Sequence, residues 1–263
     1  MKVIQIKTLA VLLSCAAILQ PVALSAETVA VHHTEGLVHG FLVLRNLQGE
    51  LLADGDLVQV AHGDRVTNHL VFHFKDGSIH DETTVFSQRR NFQLISDHLI
   101  QKGPAFQHPM DVSIDAHTGQ VTVRYQDGDG NEKTLSKHLD LPPDVSNGMV
   151  FTLLKDIAPS VPSTTLSMVI ATPKPRVVKL LISAQGKDAF TVGFTRRTAT
   201  HYVVKIQLGG IAGLVAPLVG KQPPDTNVWI LEGEAPAFVR SEGPLFEGGP
   251  VWRIELASPV WPK

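Results

Sequence analysis

Between Asn68 and Phe86 the chain alternates with a period of two: Leu70, Phe72 and Phe74 have one parity, while His69, Val71, His73 and Lys75 have the other. Strand side chains point alternately to opposite faces, so this pattern demands a strand with one face toward a core. Asp76-Gly77 in the middle demands a hairpin. Taken as a two-residue type I′ turn, it sets Lys75 opposite Ser78, His73 opposite His80, Val71 opposite Glu82 and His69 opposite Thr84.

The same alternation runs from Val29 to Tyr125 in stretches bounded by Gly and Asp. Asp111 to Asp115 and Val121 to Tyr125 form a second predicted hairpin around His117-Thr118-Gly119, and Asp127 to Asn131 turns the chain again. Further strands are expected at Thr165 to Ala171, Arg176 to Ser183, Phe190 to Thr195, His201 to Leu208, Val228 to Glu232, Ala237 to Arg240 and Val251 to Leu256. Trp229 and Trp252 are placed to fill core space. One helix interrupts them. Pro142-Pro143 and the N-cap candidate Asp144 precede the stripe Met149, Val150, Leu153, Leu154 and Ile157, and Ala158-Pro159 ends it, so a helix is predicted over 144–157. The predicted fold is therefore mainly β: an antiparallel curved sheet or incomplete barrel with one amphipathic helix and a short apolar segment.

That segment, Gly209 to Gly220, is apolar without alternation and carries four glycines and a proline. It reads as a buried crossover or as an apolar flap over a cavity, because glycine lets backbone approach a ligand closely. With the predicted helix it supplies the candidate ligand-binding residues: Met149, Leu153, Ile211, Leu214, Val215 and Leu218.

Lys2 and Lys7, the apolar run Thr8 to Leu19, and the small residues of Leu24-Ser25-Ala26 read as an export signal over 1–26, cleaved near Ala26. The remaining residues, 27–263, are expected to be one β-rich domain, with two halves meeting at the helix as the alternative division. Cys15 is the one cysteine, and it falls inside that signal. A mature chain would have no disulfides, thiolate nucleophile or Cys-based metal site. It would have no transmembrane helix either, and would reach the periplasm or the exterior. Leu12-Leu13-Ser14-Cys15 loosely resembles a lipoprotein cleavage site, an alternative that would tether the same domain by lipid at Cys15. Without the signal's two lysines the charge is near −4, with about 21 basic against 25 acidic residues and no basic stripe. Nucleic acid is not an expected partner, and oligomeric state is not specified.

The 12 histidines are the most suggestive chemistry. In the register above, His69, His73, His80 and Glu82 share one face, where a cross-strand His pair with a diagonal carboxylate could hold zinc or copper. The solvated face of a half-buried sheet explains the same residues. His32-His33 with His39 is a weaker set. Asp127, Asp129 and Asn131 begin like a calcium loop, yet Glu132 stands where glycine is needed and His138 where glutamate is needed, so a plain turn is expected. No nucleophile elbow, dinucleotide fingerprint or phosphate loop is present. His80, Asp81 and Glu82 with Arg89 and Arg90 place acid, base and cation close together, or simply form salt bridges at a sheet edge.

At Leu141-Pro142-Pro143-Asp144 and the apolar helix after it, within successive hairpins behind a signal, the chain resembles uncharacterised exported bacterial envelope proteins. More distantly it is similar to the half-barrel carriers that shuttle lipoproteins across the periplasm. That resemblance implies a curved sheet lined by apolar residues and closed by helices, and it transfers no functional residue. Three readings follow: a non-enzymatic binding or carrier module for a lipid or other apolar small molecule, a secreted metal-assisted hydrolase using the His-rich face, and an envelope scaffold without a small ligand.

Overall fold

The computed structural model describes residues 28–170, 172–207 and 223–257. The strands are β1 (Val38–Asn46), β2 (Leu51–His62), β3 (Arg65–Phe74), β4 (Ile79–Gln88), β5 (Phe92–Lys102), β6 (Met110–Asp115), β7 (Gln120–Gln126) and β8 (Glu132–His138) in the first half. After a short helix, α1 (Val150–Leu153), come β9 (Thr164–Ile170), β10 (Arg176–Val192), β11 (Thr195–Gln207), β12 (Thr226–Leu231), β13 (Ala237–Gly243) and β14 (Trp252–Leu256). All 14 belong to one antiparallel sheet in the order β8-β7-β6-β5-β4-β3-β2-β1-β14-β13-β12-β11-β10-β9.

Its curvature follows from packing. Phe86, Ile114 and Val121 of the first half share one buried cluster with Leu180, Ile182, Val204 and Ile230 of the second. At roughly 4.8 Å per strand, a flat sheet would hold β7 and β10 about 50 Å apart. The sheet is therefore rolled around the segment between its halves, whose Met149, Leu153, Leu154 and Ile157 are all buried in that cluster. It does not close, because β8 and β9 remain its edges. Residues 144–147 lie along β9 instead: Val145 and Ser167 form a parallel bridge, and the Asn147 side chain donates to the Val169 carbonyl and accepts from its amide, both at 2.8 Å.

This inner segment corrects the predicted helix. Only Val150–Leu153 is α-helical, and its N-cap position is Met149, without a side-chain cap. Asp144 is drawn elsewhere: its carboxylate accepts from the Ser167 hydroxyl at 2.8 Å and lies 3.4 Å from Lys179 Nζ. Of the two tryptophans expected in the core, Trp252 is buried beside Phe74 and Phe106. Trp229 is stacked on His201 at 4.5 Å, with the Arg240 guanidinium over its ring. Asp127 forms the expected turn, accepting from the amides of Asp129 and Asn131. These donors, Asn131 foremost, hold its carboxyl below the usual range.

The Asp76-Gly77 turn decides the faces of the central hairpin. Gly77 donates to the Phe74 carbonyl and has φ +85°, while Phe74 pairs with Ser78, so the loop is Lys75-Asp76-Gly77. This is a type I turn closed by a left-handed glycine bulge, one residue longer than a type I′ loop. One extra residue flips every later side chain to the other face. His73 consequently faces Ile79, Phe72 faces His80, Leu70 faces Glu82 and Asn68 faces Thr84.

A candidate ligand cavity

The flipped register splits the expected zinc set. His69 and His73 lie on the outer face, where His69 Nε2 is 3.0 Å from Asp81. His80 and Glu82 face inward, so the four residues do not converge, and the metal reading is corrected by geometry. No group of three or more His, Cys, Asp and Glu suited to a metal occurs among the described residues. Two more histidines form cross-strand pairs on the outer face in the same way, His98 with Asp111 at 2.9 Å and His39 with Asp56 at 3.3 Å.

Inside the roll, a cavity of about 610 Å³ lies between the inner face of β1–β4, β13–β14, α1 and the leading residues 32–38. Its apolar wall includes Leu42, Leu57, Leu70, Phe151, Phe238 and Ile254. Apart from Phe151 of α1, these are the inward parity of their strands, as Leu42 facing Gly55 and Leu57 facing Leu70 show. Space survives at Gly40, where a Cβ would touch only the Leu57 Cβ, at 3.8 Å; inward of Gly55 the Phe72 ring takes the room, and a Cβ there would strike it at 2.4 Å. Phe151 of α1 stacks on Phe238 of β13 with centroids 5.0 Å apart, closing the side next to the inner segment.

The leading residues are held over the cavity by polar contacts. The amides of His32 and His33 both donate to Asp156 Oδ1, at 2.6 and 2.7 Å. Glu35 donates its amide to Gln88 at 2.6 Å and pairs with Lys155 through its carboxylate.

A polar row crosses the inner face where an apolar core would be expected. Gln59, Asn68, Thr84 and Asp97 are register partners on β2 to β5. Gln59 donates to Glu35 at 2.8 Å and to the Gly36 carbonyl at 3.1 Å. Thr84 donates to Asp97 at 2.8 Å. Asn68 is 8 % exposed, and its Oδ1 has no hydrogen-bond partner. Gly148 fits against this row with φ +65°; a Cβ there would lie 1.8 Å from Thr84 Oγ1.

Glu82 and His80 lie one and two inward steps along β4 from Thr84. The Gln101 amide, oriented by the Leu245 carbonyl, donates to His80 Nδ1 at 3.0 Å, leaving the ring proton on Nε2. That nitrogen is 3.9 Å from Glu82, too far for a hydrogen bond. Burial lowers the His80 pKa to about 4, against the opposing charge of Asp81. Burial, reinforced by Asp97, pushes the Glu82 carboxyl well above the usual range. Its remaining 19 % side-chain exposure opens onto the cavity. Asp97 is raised to about 6 by burial, against the Thr84 hydrogen bond and the His98 charge.

Of the residues singled out from sequence for an apolar ligand, Met149 and Leu153 are buried in the main core. Ile211, Leu214, Val215 and Leu218 lie outside the described residues. The residues that do line the cavity had a signal in the sequence: glycines and polar residues at inward strand positions, which weaken a strand unless something approaches it.

No family model matches the chain, and no curated protein sequence matches it. Among solved structures it is similar to a crystal structure described as a β-barrel-like protein of domain of unknown function DUF1849 from Brucella abortus. The TM-score is 0.46 with 9 % identity, over 88 % of this chain and 100 % of that one.

Proposed function

We propose that this chain is an exported, non-enzymatic binding or carrier module of the cell envelope, holding a lipid or other apolar molecule inside its rolled sheet. The observation that carries this reading is the cavity of about 610 Å³. Small-molecule sites occupy roughly 300–1,000 Å³, with mostly apolar walls and a few placed polar groups. Leucine and phenylalanine on the wall, with Asn68 and Glu82 among the polar lining, match that description. Export rests on the signal-like pattern of residues 1–26, with cleavage near Ala26 releasing a periplasmic domain. The partial roll is compatible with the carrier-like half-barrels that the sequence resembles, and it leaves a side through which a ligand can leave.

Native mass spectrometry of the protein purified from the cell envelope, with solvent extraction of its small molecules, tests the proposal. A copurifying apolar compound, lost in Gly40→Leu, is the expected result. A bare protein that also fails to bind a fluorescent apolar probe would instead favour an envelope scaffold.

A further inference from the structure

At the polar end of the cavity, one donor is left without work. Asn68 is more than nine-tenths buried, its Oδ1 is enclosed, and its NH2 end opens onto the cavity. No hydrogen bond among the described residues engages those two N–H groups. The neighbouring polar side chains are spent or covered. Gln59 donates to Glu35 and Gly36, Lys155 is paired with Glu35, and Thr84, 1 % exposed beneath Gly148, donates to Asp97. What remains open beside Asn68 is the carboxyl of Glu82, an inward residue of β4 diagonal to it across the β3–β4 ladder. Diagonal neighbours stand about 7–8 Å apart, which leaves room for one ligand oxygen between the two side-chain tips. The Thr152 hydroxyl, also on the lining, can donate as well.

Resting on the cavity reading above, we infer that the ligand is an uncharged acyl compound, an ester or amide whose carbonyl oxygen is seated between the Asn68 amide and Glu82. Its chain lies along Leu42, Leu57, Leu70 and Phe151. A carbonyl oxygen has two lone pairs and no proton. One lone pair accepts from Asn68 and the other from Glu82, whose carboxyl keeps its proton because burial, with Asp97 adding to it, disfavours the charged form.

Other heads fit less well. A carboxylate would bring its charge toward Asp97, which lies across from Thr84 on β5. An ammonium would turn its N–H groups on those of Asn68, while Asn68 Oδ1 and Thr84 stay covered. His80, kept neutral by burial, and the Lys155–Glu35 pair, closed on itself, supply no counter-charge for an ion of either sign. An alcohol accepts, but it adds a proton that needs an acceptor of its own, and the enclosed Asn68 Oδ1 is not one.

The test is displacement of the uncharged fluorophore phenylnaphthylamine from the protein at neutral pH by methyl decanoate, decanol, decanoate and decylamine. Methyl decanoate is expected to bind at least about ten-fold more tightly than decanoate or decylamine, with decanol between them. Asn68→Leu should lower the affinity for the ester about ten-fold and leave that for the fluorophore within about two-fold, a split that collapse of the cavity would not give. Glu82→Gln, which presents an N–H where the acid presents an O–H, should keep the ester within about three-fold, whereas Glu82→Leu should cost it about ten-fold. This second contrast stands even where Asn68→Leu fails to fold, and circular dichroism checks each variant. If any of the other three amphiphiles equals the ester, or if both leucine variants bind the ester as the wild type does, the carbonyl assignment is wrong while fluorophore binding upholds the cavity. If neither the fluorophore nor any of the four binds, both inferences fall.

Discussion

The inner face of the sheet has two regions built by the same alternation and filled in opposite ways. Around Met149, Leu153, Leu154 and Ile157, the inward residues of both halves are apolar and packed against the chain's own segment. Around Gly40, Leu57 and Leu70 nothing from the described chain fills the centre, and the inward row includes Gln59, Asn68 and Thr84. A region serving stability alone has no use for a buried unpartnered amide, which costs about 1–3 kcal/mol. The contrast separates a part of the interior that holds the sheet in shape from a part that the shape keeps open.

The junction between the regions should be the most sensitive point. Gly148→Ala forces a side chain into a left-handed backbone position and onto Thr84 Oγ1. Equilibrium urea denaturation should show a loss of about 4 kcal/mol or more, or no cooperative transition at all. In the packed region, Leu154→Ala, at 1 % exposure, should cost roughly 2–5 kcal/mol in the same assay. Leu57→Ala on the cavity wall should cost about 1 kcal/mol, since its neighbours already face open space. Equal losses at the two leucines would erase the distinction.

Titration sharpens it further. Asp97, raised to about 6 when folded, binds its proton more tightly in the folded state, and its contribution to stability falls as pH rises from about 4 through 6; Glu82, also raised, acts in the same sense. His80 has the opposite sign. Held near 4 when folded and near 6.5 when unfolded, it loses stability as pH falls between those values, on the order of 3 kcal/mol in all. The two trends oppose each other in wild type. Asp97→Asn should unmask the histidine, giving stability that climbs more steeply from pH 4 to 6.5. An unchanged slope would disconnect these groups. The smallest effect on stability belongs to Gly40→Leu, expected within about 1 kcal/mol of wild type because its Cβ meets only Leu57. That variant should nevertheless lose binding of an apolar probe.

The β class, the mid-chain interruption and most strand positions were legible in alternation and turn residues. Faces were less so. Asp76-Gly77 suits both a two-residue loop and a three-residue loop with a glycine bulge, and the one-residue difference moved His80 and Glu82 from the imagined metal face to the cavity. The helix was overextended because its stripe of apolar residues reflects burial on all sides inside a roll, and Asp144 found Ser167 and Lys179 rather than backbone amides. Such partners are distant in sequence, and no local pattern announces them. The cavity was visible only indirectly, through Gly40 and Asn68 at inward strand positions, since empty space has no residue of its own.

The two ends of the sheet also differ in what they can accept. Along β9, residues 144–147 already occupy backbone groups of Ser167 and Val169. β8 is the other terminal strand among the described residues, and its Glu132, Lys133 and Lys137 are exposed. The molecule is thus a ribbon sealed at one end. Among the described residues, a strand added from outside would meet its open edge at β8, and it would have to tolerate the exposed charges there on arrival.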